Sequence, residues 1–340
     1  MSSRRNPLYF LPLNRIFLAI LALGGLACWA ADASRPPHET PGLPLTGEPI
    51  KPIPLQIDLD ARKVALGRGL FFEPKLSHDN TVSCASCHDL RKGGCDGRVR
   101  SFGINNANGK INTPTVFNSG LNFKQFWDGR ASSLEEQVDG PVLASDEMGS
   151  TWDEVVGKLR ATPRYVASFK EIFRDGIQPG NIKKVIAEFE RSLITPNARF
   201  DKFLRGDDSA LSAKEKEGYR KFKSYGCTSC HQGVNVGGNM FETLGAMADY
   251  FAARGNVTQA DYGRFNVTGR EEDRFVFKVP SLRNVALSGP YLHDGSAKRL
   301  EDAVDVMGKY QLGQSLSSED IEDIVSFLKT LTGEFEGKAL

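Results

Sequence analysis

Cys84-Ala85-Ser86-Cys87-His88 is the stretch from which this chain is read, and Cys227-Thr228-Ser229-Cys230-His231 repeats it. C-x-x-C-H is the attachment pattern of a c-type haem. Two cysteines three residues apart share one side of a helical turn, so both sulfurs reach the two vinyl groups of one porphyrin. The histidine that follows is placed to ligate the iron from the proximal side. A single copy would also fit a thioredoxin-type C-x-x-C or half of a zinc site. Zinc sites use far tighter spacings than the one between these two pairs. Two full copies, each behind an amphipathic helix, imply two covalently bound haem c groups.

Working outward, 340 residues suffice for two domains, one per haem, each with its own core. The expected organisation is a leader at residues 1–33, a Pro- and Gly-rich extended linker at 34–57 that carries a solvated His38, and domains at 58–203 and 204–340. In the leader, Arg4, Arg5 and Arg15 precede an apolar run at 16–29, followed by Ala30, Ala31 and Ala33. The run falls short of the about 20 apolar residues of a membrane span. Cleavage is expected after Ala30 or Ala33, with an uncleaved anchor as the alternative. In both cases the chain is exported, and covalent haem attachment suits a bacterial periplasm. A balance of 43 basic against 42 acidic residues gives no case for nucleic acid binding. Four of the six cysteines belong to the haem motifs, Cys28 lies in the leader in weak lipobox context, and Cys95 stands alone as a structural thiol.

The periodicity is helical throughout. Helices are expected at 60–72 and 211–225, each leading into a haem motif, and at 133–138 and 152–159, the latter capped by Thr151. Pro163 opens another. Asn181 is read as the cap of a helix carrying Ile182, Val185, Phe189 and Leu193. Further helices follow at 300–310 and after Ser317-x-x-Asp320, the last closed by Gly333. No stretch alternates as a half-buried sheet would. The predicted class is all-α, two cytochrome-c-like domains.

A c haem held by histidine alone keeps an open coordination position. Methionine there makes an electron-transfer haem of high potential, whereas an open position beside acid and base groups binds and cleaves peroxide. The ligand candidates are few: five histidines and five methionines, of which Met1 is in the leader. By chemistry alone Met240, Met247 and Met307 are rivals for the second haem, and Met148 could close the first.

Longer stretches carry a closer likeness. Leu76-Ser77 through His88, Asn112-Thr113-Pro114-Thr115, Phe126-Trp127-Asp128-Gly129-Arg130-Ala131, Glu136-Gln137 with Gly140-Pro141, Leu282-Arg283-Asn284-Val285-Ala286, Pro290-Tyr291-Leu292-His293-Asp294-Gly295 and Ala303-Val304 with Met307-Gly308 come in the order found in the bacterial di-haem cytochrome c peroxidases. The chain resembles that family from about residue 58 to 333. The resemblance implies His88 as proximal ligand of a peroxidatic haem and His231 with Met307 as the axial pair of an electron-transfer haem. It implies Glu147 and Gln137 as the distal pair over the first haem, and Trp127 as the aromatic between the haems. Asn112, Ser288 and Pro290 fall where the family binds calcium, with Ser288 a departure from the expected threonine. His293 is expected to tune the second haem rather than ligate it, and His78 to lie at the surface. Hydrogen peroxide as substrate, a small periplasmic cytochrome c or cupredoxin as donor, and a homodimer follow from the same likeness.

One departure stands out. Family members often carry a histidine in the loop after the first haem motif that ligates the peroxidatic iron at rest. Aligning Ser101-Phe102-Gly103 with that loop puts Ile104 at the histidine's position, and no other histidine lies between His88 and His231. Two rival functions remain: the related di-haem oxidase that matures a tryptophan-derived quinone, which uses tyrosine where Met307 stands, and a plain di-haem electron carrier.

Overall fold

Asp60 starts the first helix of the described chain: its carboxylate accepts the N–H of Arg62 and caps Ala61–Phe71. The computed structural model describes residues 44–340; the leader, its cleavage site, Cys28 and His38 lie outside the described residues. Ala61–Phe71 delivers the first haem motif and crosses the long helix Pro179–Ser192. The crossing is close because Gly67 faces it: a Cβ there would lie 1.8 Å from the Val185 carbonyl oxygen. The second half repeats the device. Ser212 and Glu215 form a capping box for Ala213–Ser224, which crosses Ser318–Lys329 at Gly218, where a Cβ would lie 1.9 Å from the Asp323 carbonyl. Each haem motif is thus hung from a helix locked to a partner at a glycine.

Two larger hydrophobic cores follow, beside smaller clusters around Phe117 and Phe251. One is built on Leu70, Val155, Phe169, Ile182 and Ile186, the other on Phe200, Tyr219, Phe222, Phe327 and Leu328. The second reaches across the expected boundaries. Phe200 and Phe203 join it, and so does Ile50 from the stretch expected to be a linker. That stretch is extended but docked. Ile50 and Ile53 are fully buried, Ile50 bridges to Gly233, and buried Arg283 donates to the Lys51 carbonyl while pairing with Asp201 at 2.7 Å.

The helix expected to be capped by Asn181 starts earlier, at Pro179, with Gln178 in the capping position. Proline at the first helical position is the stronger signal, and Asn181 instead donates to Asp175 and Gly176 from within the first turn. The helix expected at 300–310 is α-helical over Leu300–Val306 and widens into a π-turn at Met307–Gln311. The architecture is mainly helical with two short two-stranded ribbons, Phe241–Thr243 with Val276–Lys278 and Glu334–Phe335 with Lys338–Ala339. Among the described residues no helix is long and apolar enough to cross a membrane.

Candidate functional site

The first motif folds as a single helical turn, Cys84–Cys87, and the second as the turn Cys227–Ser229. All four thiols are free of disulfides. Burial raises them, Cys87 and Cys227 each to about 11, so they are protonated thiols rather than exposed thiolates. The two histidines are oriented alike: His88 Nδ1 lies 3.2 Å from the Gly94 carbonyl and His231 Nδ1 3.2 Å from the Val236 carbonyl. Burial lowers both imidazoles, His231 to about 4, and keeps them neutral. A carbonyl on Nδ1 leaves Nε2 free with its lone pair outward, as iron ligation requires.

The second site opens on a large, mostly apolar cavity that Cys227, Cys230, His231 and Met307 share. Met240 is not among its walls, and Met247 is a surface residue. A planar apolar macrocycle with a metal at its centre fits this set of donors. Trp127 and His293 line the same cavity, with ring centroids 6.4 Å apart. His293 is buried and its Nε2 lies 2.6 Å from Asp261, whose charge is met by Arg254 at 2.8 Å; Arg254 also pairs with Asp294. The Asp261 contact favours a charged imidazole and burial a neutral one. Burial prevails, because Arg254 already balances the carboxylate, so His293 is a neutral donor.

The segment of the first half that carries Gln137 and Glu147 is built differently. Gln137 ends the helix Leu134–Gln137, which Ser133 caps. The chain then folds back: Met148 N–H donates to the Pro141 carbonyl at 3.0 Å and Ser150 N–H to Val142 at 2.9 Å, holding Glu147 at the tip. Glu147 has an accessible side chain yet is crowded by protein on most sides, the signature of a carboxyl in a concave wall. That crowding, with the neighbouring Asp146, raises its pKa above the usual carboxylate range. Met148, the rival ligand, is spent in the first core at 2% exposure. Ile104 packs in the same core, and its N–H donates to the Glu147 carbonyl at 2.8 Å. The loop that could carry a histidine is thereby fastened to the loop that carries Glu147.

Asn112, Ser288 and Pro290 lie at the rim of the second cavity. Asn112 donates through Nδ2 to the Arg98 carbonyl at 2.9 Å, and its own carbonyl accepts the Trp127 indole N–H at 2.9 Å. Its Oδ1 therefore remains for a cation. Cys95 is buried, as a structural thiol should be, and His78 is exposed with Nδ1 3.0 Å from Glu154.

An internal repeat, absent from the motif reading, relates the halves. Asn112-Thr113-Pro114 matches Lys278-Val279-Pro280, Asn118 matches Asn284, and Phe126-Trp127-Asp128-Gly129 matches Leu292-His293-Asp294-Gly295, all at one offset. The backbone agrees: Asn118 and Asn284 have φ of 60° and 59°, Phe126 and Leu292 of 67° and 68°. The halves exchange hydrogen bonds here, Asn112 N–H to the His293 carbonyl and Lys278 N–H to the Trp127 carbonyl, both at 2.8 Å. The same offset runs on from Leu134-Glu135 to Leu300-Glu301 and sets Pro141 against Met307. Sequence reasoning also passed over buried Glu190, which has one carboxylate oxygen without a partner and is raised by burial to about 8. A single charged residue within the pattern of an apolar helix face was its signal.

Comparison with known proteins agrees with this picture. The family model described as di-haem cytochrome c peroxidase matches residues 61–209. Cytochrome c peroxidase Ccp of Escherichia coli (strain K12) is 47% identical over 94% of this chain and 67% of its own length. Cytochrome c551 peroxidase of Nitrosomonas europaea is 44% identical over 86% of both chains. The crystal structure of a MauG-like protein associated with microbial copper homeostasis superposes with a TM-score of 0.72 at 28% identity, covering 85% of this chain and 95% of that one.

Proposed function

This chain belongs to the di-haem cytochrome c peroxidase family, and from that premise we propose that it reduces hydrogen peroxide to water in the periplasm with electrons from a small cytochrome c or cupredoxin. One observation supports the reading: the second half sets Met307 in one cavity with His231, whereas the first half has Pro141 at the matching place, with Glu147 in the loop that follows. Proline has no atom to offer an iron, and Glu147 is a carboxyl of raised pKa.

Bound haem supplies a first iron open to peroxide and a second that stores an electron. Cys84 with Cys87, and Cys227 with Cys230, would hold these groups, with His88 and His231, and Met307 in the second, as the side chains that would ligate them. Glu147 would act as the proton acceptor and donor for bound peroxide, moving a proton between its two oxygens. Gln137 orients the peroxide by a hydrogen bond. Trp127, fixed by its indole N–H on the Asn112 carbonyl, stands on the path between the sites. Overall, two electrons and two protons convert one peroxide to two waters.

A calcium ion on Asn112 Oδ1 with the carbonyls of Ser288 and Pro290, and a homodimer, complete the proposal. Steady-state peroxide consumption with a reduced donor cytochrome tests the function. Protein that carries both haems yet consumes no peroxide would be an electron carrier instead.

A further inference from the structure

Lys278 is the one lysine among the residues that line the second cavity, and no arginine is among them. It closes the strand Val276–Lys278 and is only 7% exposed. Lysines usually bury their stems and keep the ammonium in water. Here most of the side chain is enclosed with only its tip left accessible, and among the described residues no acceptor or carboxylate pairs with its ammonium. The other charged residue at the cavity wall, Glu242, accepts the N–H of Thr243 at 2.9 Å and forms no ion pair with Lys278. The backbone of Lys278 is pinned, since its N–H donates to the Trp127 carbonyl at 2.8 Å and Phe241 is its strand partner.

A mostly enclosed lysine without a counter-ion is costly. The chain supplies no partner, so the partner arrives with whatever fills the cavity. A haem brings two carboxylates on an otherwise apolar ring, the one feature of that group the apolar walls cannot satisfy. The matching residue in the first half is Asn112, which is neutral and already engaged through Nδ2. The charge of Lys278 therefore has no counterpart at the matching place of the first half, and it lies next to Trp127.

We propose that the Lys278 ammonium is the counter-charge of a propionate on the group bound in the second cavity, and that by neutralising it Lys278 holds the second haem in favour of its reduced form. The inference rests on the reading that this cavity holds the second haem. Reduction adds an electron to the ring and iron, and a bare carboxylate at its edge opposes that addition through a medium of low dielectric.

The test is a spectroscopic redox titration of the holoprotein with Lys278→Met and Lys278→Arg, with haem counted first as the pyridine haemochrome. Lys278→Met should shift the ferric–ferrous equilibrium of the second haem about tenfold toward ferric, which is 59 mV for a one-electron couple. It should also move the propionate-bending band in the resonance Raman spectrum. Lys278→Arg should stay near wild type in both. Loss of the second haem from Lys278→Met but not from Lys278→Arg would equally support the charge pairing. An unchanged potential and band in Lys278→Met overturn the proposal, and equal changes in both variants overturn it in favour of side-chain bulk. Wild-type protein with fewer than two haems would instead defeat the underlying reading of the cavity.

Discussion

The two halves of this molecule are the same device built twice, and they differ where chemistry requires it. Both hang C-x-x-C-H from a helix locked at a glycine, Gly67 or Gly218, and both hold the histidine by a carbonyl at 3.2 Å. Both carry the same Asn and Asp-Gly turns with left-handed residues at matching places. On the distal side the likeness ends. The second half widens into a π-turn beginning at Met307, and π-turns often mark functional positions in helices. The first has Pro141 at that place and sends its chain back to present Glu147. What duplicates is the frame around C-x-x-C-H; what diverges is the segment that carries Met307 in one half and Pro141 in the other.

The comparison breaks most sharply at Glu147. Glu147→Gln keeps size and hydrogen bonding but removes the proton acceptor, so peroxide turnover should fall by about 10²-fold or more with both haems in place. Because the base must be ionised to act and its pKa is raised, the acid limb of kcat/KM should lie above the ordinary glutamate value of 4.5 and vanish in the variant. Near-normal turnover would reduce Glu147 to a loop carboxylate.

Ile104 tests whether the first iron is open at rest. With Ile104 and Met148 both committed to the core, the oxidised protein should show a high-spin first haem in electron paramagnetic resonance and react with peroxide before the second haem is reduced. Ile104→His should create a low-spin component if the loop can release its bond to Glu147. Two low-spin signals in the unaltered protein would mean that another side chain has closed the site. In the second half, Met307→His should lower that haem's potential by about 100 mV or more, since imidazole favours the ferric ion. An unchanged titration would return the role to Met240 or Met247.

Smaller effects probe the shared frame. Gly67→Ala and Gly218→Ala each force a methyl group onto a helix backbone, so each should cost about 1–3 kcal/mol, to similar extents, in the thermal unfolding of the holoprotein. A cost in one half only would show that the two crossings are not equivalent. Glu190, which has no ion-pair partner among the described residues, whereas buried Asp201 beside the second core pairs with Arg283, should make the first half sensitive to alkali. Its carboxyl ionises near 4.5 when unfolded but only near 8 when folded, so the unfolded chain binds fewer protons between those values and stability declines as pH rises through them. Glu190→Gln, which does not titrate, should therefore gain melting temperature relative to the parent as pH goes from 5 to 8.

Much of this was legible without coordinates. C-x-x-C-H marks the two helical turns that carry His88 and His231, and helix starts declare themselves through Asp60, Thr151, Pro163 and Ser317. These readings rest on local rules, a spacing along one turn or a cap on one helix, and such rules survive in a string of letters. Asn181 misled because two local signals competed and Pro179 was the stronger. What the tertiary structure alone decided is long-range. It set Met307 beside His231 in the wall of one cavity and left Met247 at the surface. It docked residues 50–53 into the second core, surrounded Lys278 without giving it a partner, and brought Trp127 and His293 together from opposite halves. Burial and ion pairing depend on what the rest of the chain brings alongside, and that is settled only when distant segments close on one another.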